Sequence, residues 1–157
     1  MYDKILVPLD GSGRAECVLP HVETLATACE VKEVILISVT ERITGFRVME
    51  DYSQPRGERL VPEAVGKEEK EAQQYLEKIA KTLKAKGIKV SSEVLMGKPA
   101  EELIIYAHKM NCGLIVMASH GRSGISRWAH GSVADRVFKA TNIPILMIKA
   151  EGYEGGS

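Results

Sequence analysis

The chain lacks the long apolar run that a membrane span requires: no stretch approaches the ~18 consecutive apolar residues of a transmembrane helix, and no membrane association is expected. Met1 leads directly into a strand-like run, without the charged n-region and apolar h-region of a signal peptide. Cysteine is scarce. Cys17, Cys29 and Cys112 are an odd number with no CxxC spacing, which excludes both a disulfide framework and a zinc knuckle. They read as small, mostly buried thiols, and with the missing leader they point to a cytoplasmic protein. Net charge is missing too, with 21 Lys and Arg against 21 Asp and Glu. That balance argues against a nucleic-acid binder, whose affinity rests on a positive patch meeting phosphates, although it leaves room for a local cluster.

What is present is ordinary globular composition, 45% hydrophobic and 27% charged over 157 residues. That length makes one domain, able to bury a core without disulfides or metals. Residues 1–150 are its expected extent, with 151–157 (EGYEGGS) a disordered polar tail. Within the domain, short apolar runs alternate with segments of helical period. Ile5-Leu6-Val7 ends at Pro8 and is followed by the turn cluster Asp10-Gly11-Ser12-Gly13. From Arg14 to Ala28, Val18, Leu19, Val22, Leu25 and Ala26 recur at three and four, as on a helix face. Val34 to Val39 is a continuous apolar run, and Ala64 to Lys86 carries a stripe of Ala72, Leu76, Ile79, Ala80 and Leu83 that Gly87 stops. Ile88 to Met96 alternates like an edge strand, Ala100 to Met110 is helical behind Pro99, and Gly113 to Ser119 is an apolar strand. Ser132 to Ala140 is helical and Ile143 to Lys149 is a last strand.

Strict β-α alternation implies an α/β fold: a single-domain, Rossmann-like sandwich in which a five-stranded parallel sheet has helices on both faces. Continuous rather than alternating apolar strands fit that burial. Thr40 to Glu63, with Gly45, Pro55, Gly57 and Pro62, has no convincing period and reads as a lid, an interaction surface or a disordered loop.

In an open parallel sheet, ligands bind beyond the carboxyl ends of the strands, near the reversal of strand order. The residues placed there are Asp10-Gly11-Ser12, Val39-Thr40 and Ser119-His120-Gly121. The run from Ala118 to Ser132 leaves a buried strand, passes Gly121, Gly124 and Gly131 with Arg122 and Arg127 between them, and enters a helix at Ser132. Free N–H groups and a positive dipole end at a helix start suit a phosphate. The same Ser132-Val133-Ala134-Asp135 also reads as a capping box, so a plain structural loop stands beside phosphate binding. Neither GxxxxGK[ST] nor GxGxxG is present.

KILVPLDGS (Lys4 to Ser12), VILISV, IVMASHGRSG and HGSVADRV together resemble the universal stress protein family, over about Tyr2 to Lys149. That family's nucleotide-binding subgroup carries G-x2-G-x9-G-[ST]. Here the frame falls on Ala118, Gly121, Gly131 and Ser132, with nine residues between the two glycines and alanine where the first glycine stands in the family. His130 also departs from the usual apolar residue. The resemblance implies ATP or AMP as ligand, with or without Mg. It implies that Asp10 accepts hydrogen bonds from ribose hydroxyls or adenine, that Pro8 and Leu9 line the pocket, and that Val39 packs on adenine. Met117, Ala118 and His120 then wall the ribose, and Gly121, Arg122, Gly131, Ser132 and Val133 cradle the phosphates. Simpler readings remain open: Asp10 capping the helix that begins near Arg14, and Val39 and Met117 as core.

The sequence shows no catalytic set. Ser119 directly precedes His120, which is the wrong geometry for a triad with Asp10, and His120 with His130 lacks a third metal ligand. The expected function is therefore a nucleotide-binding stress-response regulator with slow or no turnover that signals to an unidentified protein partner. The alternatives are a dimeric interaction module without nucleotide and a slow ATPase. The apolar final strand, residues 143–149, is expected at a sheet edge, where it invites homodimer pairing.

Overall fold

The computed structural model describes residues 1–40, 63–119 and 132–150. Most of the Thr40–Glu63 loop, His120, Gly121, Arg122, His130, Gly131 and the tail therefore lie outside the described residues. The chain runs β1 (Lys4–Pro8), a 3₁₀ turn (Ala15–Val18), α1 (Leu19–Ala28), β2 (Glu33–Thr40) and α2 (Glu63–Lys84). It continues with β3 (Val90–Met96), α3 (Pro99–Lys109), β4 (Leu114–Ser119), α4 (Ser132–Ala140) and β5 (Ile145–Lys149). The five strands form one parallel sheet in the order β3-β2-β1-β4-β5, the α/β architecture expected.

Handedness dictates where the helices go. The chain steps β1 to β2 to β3 in one direction, then jumps back across the sheet to β4 and on to β5. Right-handed crossovers that step in opposite directions place their helices on opposite faces. The core divides accordingly. Ile5, Val7, Leu9, Leu36 and Val116 pack with Val18 and Val22 of the first helical segment and Leu76, Ile79 and Leu83 of α2. Leu6, Ile35, Ile37, Ile115 and Met117 pack with Ala100, Leu103 and Ala107 of α3 and Val133, Ala134 and Val137 of α4. Fully burying each Leu or Ile contributes about 1.5–3 kcal/mol, so the central strands are apolar on both sides because both sides carry that load.

The sequence reading is corrected at two element boundaries and at one cysteine. The helix expected over Arg14–Ala28 is a 3₁₀ turn followed by an α-helix. Pro20 has no N–H to close an α-turn onto Glu16, and the Leu19 N–H bonds the Glu16 carbonyl instead. The last strand begins at Ile145 rather than Ile143, because Pro144 accepts a bond from the Ile115 N–H through its carbonyl but has none to donate. Cys29, at the end of α1, is exposed, whereas Cys112 is buried and Cys17 half-buried. Gly87 stops α2 as expected, at φ +81°, with the Gly87 N–H on the Lys84 carbonyl and the Ile88 N–H on the Leu83 carbonyl.

β3 and β5 are the sheet edges. Ile145 and Met147 of β5 lean on one core and Leu146 and Ile148 on the other, yet all four stay half-exposed. Among the described residues, no helix is long and apolar enough to cross a membrane.

Candidate functional site

The reversal of strand order falls between β1 and β4. Their ladder consists only of Ile5 against Leu114 and Leu6 against Ile115. By contrast, β4 and β5 stay paired from Ile115–Ile145 to Ser119–Lys149. Past Leu6, β1 gives its bonds to β2, as where the Leu9 N–H reaches the Ile37 carbonyl at 2.8 Å, and Pro8 has no N–H to offer. The carboxyl ends of β1 and β4 therefore border a crevice, the position at which such sheets take ligands.

Polar residues gather at this end. The buried polar side chains among the described residues are Asp10, Ser38 and Thr40, with Asp10 only 4% exposed. Asp10 Oδ1 accepts the Ser12 N–H at 2.8 Å and the Ser12 hydroxyl at 2.5 Å, which closes an Asx turn at Gly11, whose φ is +84°. Asp10 is thus not the cap of the following helical segment. Ser12 takes that place: the Ala15 N–H points to its carbonyl at 3.2 Å and to its Oγ at 3.3 Å. Thr40 Oγ1 donates to the Leu95 carbonyl at 3.3 Å, and the Thr40 carbonyl accepts the Gly97 N–H at 3.0 Å.

Ala118 is fully within β4, opposite Ile148, and is not among the residues with positive φ. Extended backbone suits alanine as well as glycine, so the missing first glycine of the motif carries no conformational penalty here. Only one methyl group is added, 8% exposed and packed against the α1–α2 side. Val39 and Met117 pack in the α3–α4 core at 4% and 2% exposure, as the core reading of them requires. Leu9 is fully buried on the opposite side. Val133 sits in the first turn of α4, which begins at Ser132 itself, and Asp135 Oδ2 pairs with Lys139 Nζ at 3.0 Å. The structure therefore brings Pro8, Leu9, Asp10, Val39, Met117 and Ala118 to one rim of the sheet. Their partners in the glycine-rich loop lie outside the described residues.

A full-length match to the model of the universal stress protein family, over residues 1–149, decides the relationship. The chain belongs to the universal stress protein family. It is 33% identical over 157 residues to universal stress protein MJ0577 of Methanocaldococcus jannaschii, covering 95% of this chain and 96% of that one. The solved structure of MJ0577 superposes with a TM-score of 0.74 at 34% identity, again over 95% and 96% of the two chains. A universal stress protein from Archaeoglobus fulgidus, solved in complex with dAMP, shares the fold at a TM-score of 0.60 and 24% identity, over 94% and 98%. Another, solved in complex with cAMP, does so at 0.65 and 19%, over 95% and 98%.

The turn cluster Asp10-Gly11-Ser12-Gly13 was legible in the sequence and placed at this end, but the bonds Ser12 makes to Asp10 were not. Tyr75 of α2 was not singled out in the sequence at all. Its hydroxyl is buried and has no hydrogen-bond partner among the described residues. Burial, then the negative fields of Glu16 and Asp10, push that phenol well above the ordinary tyrosine range. Glu16 thus lies close to the hydroxyl. Among the described residues, no cluster of His, Cys, Asp and Glu is disposed to hold a metal.

Proposed function

We propose that this universal stress protein binds an adenine nucleotide, ATP or AMP, with or without Mg, at the crevice between β1 and β4. It then acts as a stress-response regulator with slow or no turnover. The observation that carries the reading is Asp10: a carboxylate 4% exposed, held by Ser12, at the reversal of strand order. Two proteins of this fold were solved with dAMP or cAMP, which favours an adenine-bearing ligand.

In this reading Asp10 accepts hydrogen bonds from the ribose or base, Pro8 and Leu9 form the wall beside it, and Val39 underlies the adenine. Met117, Ala118 and His120 border the ribose. Gly121, Arg122, Gly131, Ser132 and Val133 receive the phosphates at the start of α4, where unpaired N–H groups and the helix dipole favour negative charge. Mg, if bound with the nucleotide, would supply charge neutralisation at the phosphates. Occupancy is passed to a protein partner.

The half-exposed apolar edge of β5 supports homodimer pairing through residues 143–149. It also favours the second reading, a dimeric interaction module that takes no nucleotide.

Isothermal calorimetry of nucleotide-stripped protein with MgATP separates the two. Binding by the native chain that is lost in Gly131→Val supports phosphate contacts at the head of α4. No heat, with no nucleotide released on denaturing the unstripped protein, selects the interaction module.

A further inference from the structure

We propose that the outer ridge of α2 is a docking surface for an acidic helix of a partner protein, gripped through a stripe of lysines. This rests on the reading above only in that a protein partner exists, which the nucleotide-free alternative shares.

The whole chain balances 21 Lys and Arg against 21 Asp and Glu, yet residues 78–89 hold Lys78, Lys81, Lys84, Lys86 and Lys89 and no acid. Packing decides where the charges of α2 go. Ala72, Leu76, Ile79, Ala80 and Leu83 are buried. The opposite face is left to Lys67, Lys70, Gln74, Lys78 and Lys81, at steps of three and four residues, with Lys84 beside them. Each of these side chains is exposed. From Lys67 to Lys81 the stripe runs about 21 Å along the helix axis. Its cations are uncommitted: among the described residues, Lys67, Lys70, Lys78, Lys81 and Lys84 form no salt bridge, whereas Lys86 is held by Glu23 at 2.7 Å. The helix dipole accounts only for the lysines of the last turn, Lys81 and Lys84.

Three features select the occupant. First, α2 contains no arginine, the residue that grips phosphates bidentately. Second, its described residues expose no large apolar side chain, which a bilayer surface or a single-stranded nucleic acid would engage. Third, Glu71 and Glu77 flank the stripe, and Glu77 accepts a hydrogen bond from Gln73 Nε2 at 3.1 Å. A uniform polyanion meets both glutamates as repulsion. A protein helix instead sets each carboxylate against a lysine and leaves the glutamates clear. Acids at the same three- and four-residue steps match the stripe over about four turns.

The test is an amide NMR titration of the full chain with a helical peptide of about 14 residues carrying glutamates at that spacing. A peptide of the same composition with its glutamates spread around the helix, a short DNA duplex and phosphatidylserine-containing vesicles are titrated in parallel. The striped peptide is expected to shift the amides of Lys70, Gln74, Lys78 and Lys81 saturably, and to lose affinity steeply between about 0.05 and 0.5 M NaCl. The spread peptide is expected to bind more weakly. Lys78→Gln with Lys81→Gln keeps good helix formers and is expected to weaken the striped peptide about fivefold. The proposal is overturned by no saturable shift, by shifts that map away from α2, by equal binding of the spread peptide, by undiminished affinity in the double variant, or by tighter binding of the duplex or the vesicles. MgATP calorimetry reports on the crevice alone, so a failure here and a failure of nucleotide binding are told apart.

Discussion

Replacing Asp10 separates what its carboxylate does for the fold from what it does for a ligand. Oδ1 accepts both the N–H and the hydroxyl of Ser12, at 2.8 and 2.5 Å. Asp10→Ala removes that acceptor and leaves two donors to find water. A hydrogen bond contributes about 1 kcal/mol net, more when one partner is charged. Ser12 is half-exposed, so water recovers part of the loss. The expected destabilisation is about 2 kcal/mol, which for a chain of this length lowers Tm by about 4–8 °C. Asp10→Asn keeps an oxygen in the same place and loses less than half of that. Ser12→Ala withdraws the hydroxyl from the other side, and a double-mutant cycle with Asp10→Ala is expected to give a coupling of about 1 kcal/mol. Thermal and urea unfolding followed by circular dichroism read all four proteins. Strict additivity would refute the role assigned to this turn. MgATP calorimetry on the Asn variant then reads the second role: an intact fold with about tenfold weaker binding is expected, and unchanged affinity removes Asp10 from the ligand contacts.

Two further outcomes follow from the edge strand and the tyrosines. Ile145→Lys with Met147→Lys puts two charges on the half-exposed edge of β5, and light scattering is expected to find monomer or aggregate; an unchanged dimer mass places any pairing elsewhere. Tyr75 and Tyr106 are both held above the ordinary tyrosine range, chiefly by burial, and in Tyr106 next by its 2.6 Å hydrogen bond to Glu93. An unfolded tyrosine gives up its proton near pH ~10, ahead of these two. The unfolded state is therefore favoured, and stability falls, as pH rises beyond about 10. Urea titrations between about pH 9 and 11 are expected to show a shallower fall in Tyr106→Phe; an identical slope there assigns the loss to other groups.

Much of the architecture was readable because each signal was local. Apolar runs such as Val34–Val39, flanked by helical stripes, dictate β-α alternation, and β-branched runs without alternation dictate burial on both faces. Gly87 closed α2 where a positive φ was needed. The misplaced boundaries were set by prolines acting on backbone donors: Pro20 splits a helix whose apolar spacing is continuous, and Pro144 delays a strand whose apolar run already starts at Ile143. At the rim, the choice between Asp10 and Ser12 as cap could not be read from spacing, since both residue types serve equally and only the turn at Gly11 decides. Tyr75 was invisible for another reason. It lies beside the apolar stripe of α2, and only the placement of the 3₁₀ turn brings Glu16 and Asp10 close to its hydroxyl.

The short ladder between β1 and β4 has a mechanical meaning. Every other neighbouring pair in the sheet is joined by five or more rungs, and this pair by two. Under a load that pulls the strands apart, the sheet parts first along this seam, from the carboxyl end where the rungs are missing. A molecule gripped by both strand ends acts there as a clasp, replacing the absent rungs with its own bonds and stiffening the join between the β3-β2-β1 half and the β4-β5 half.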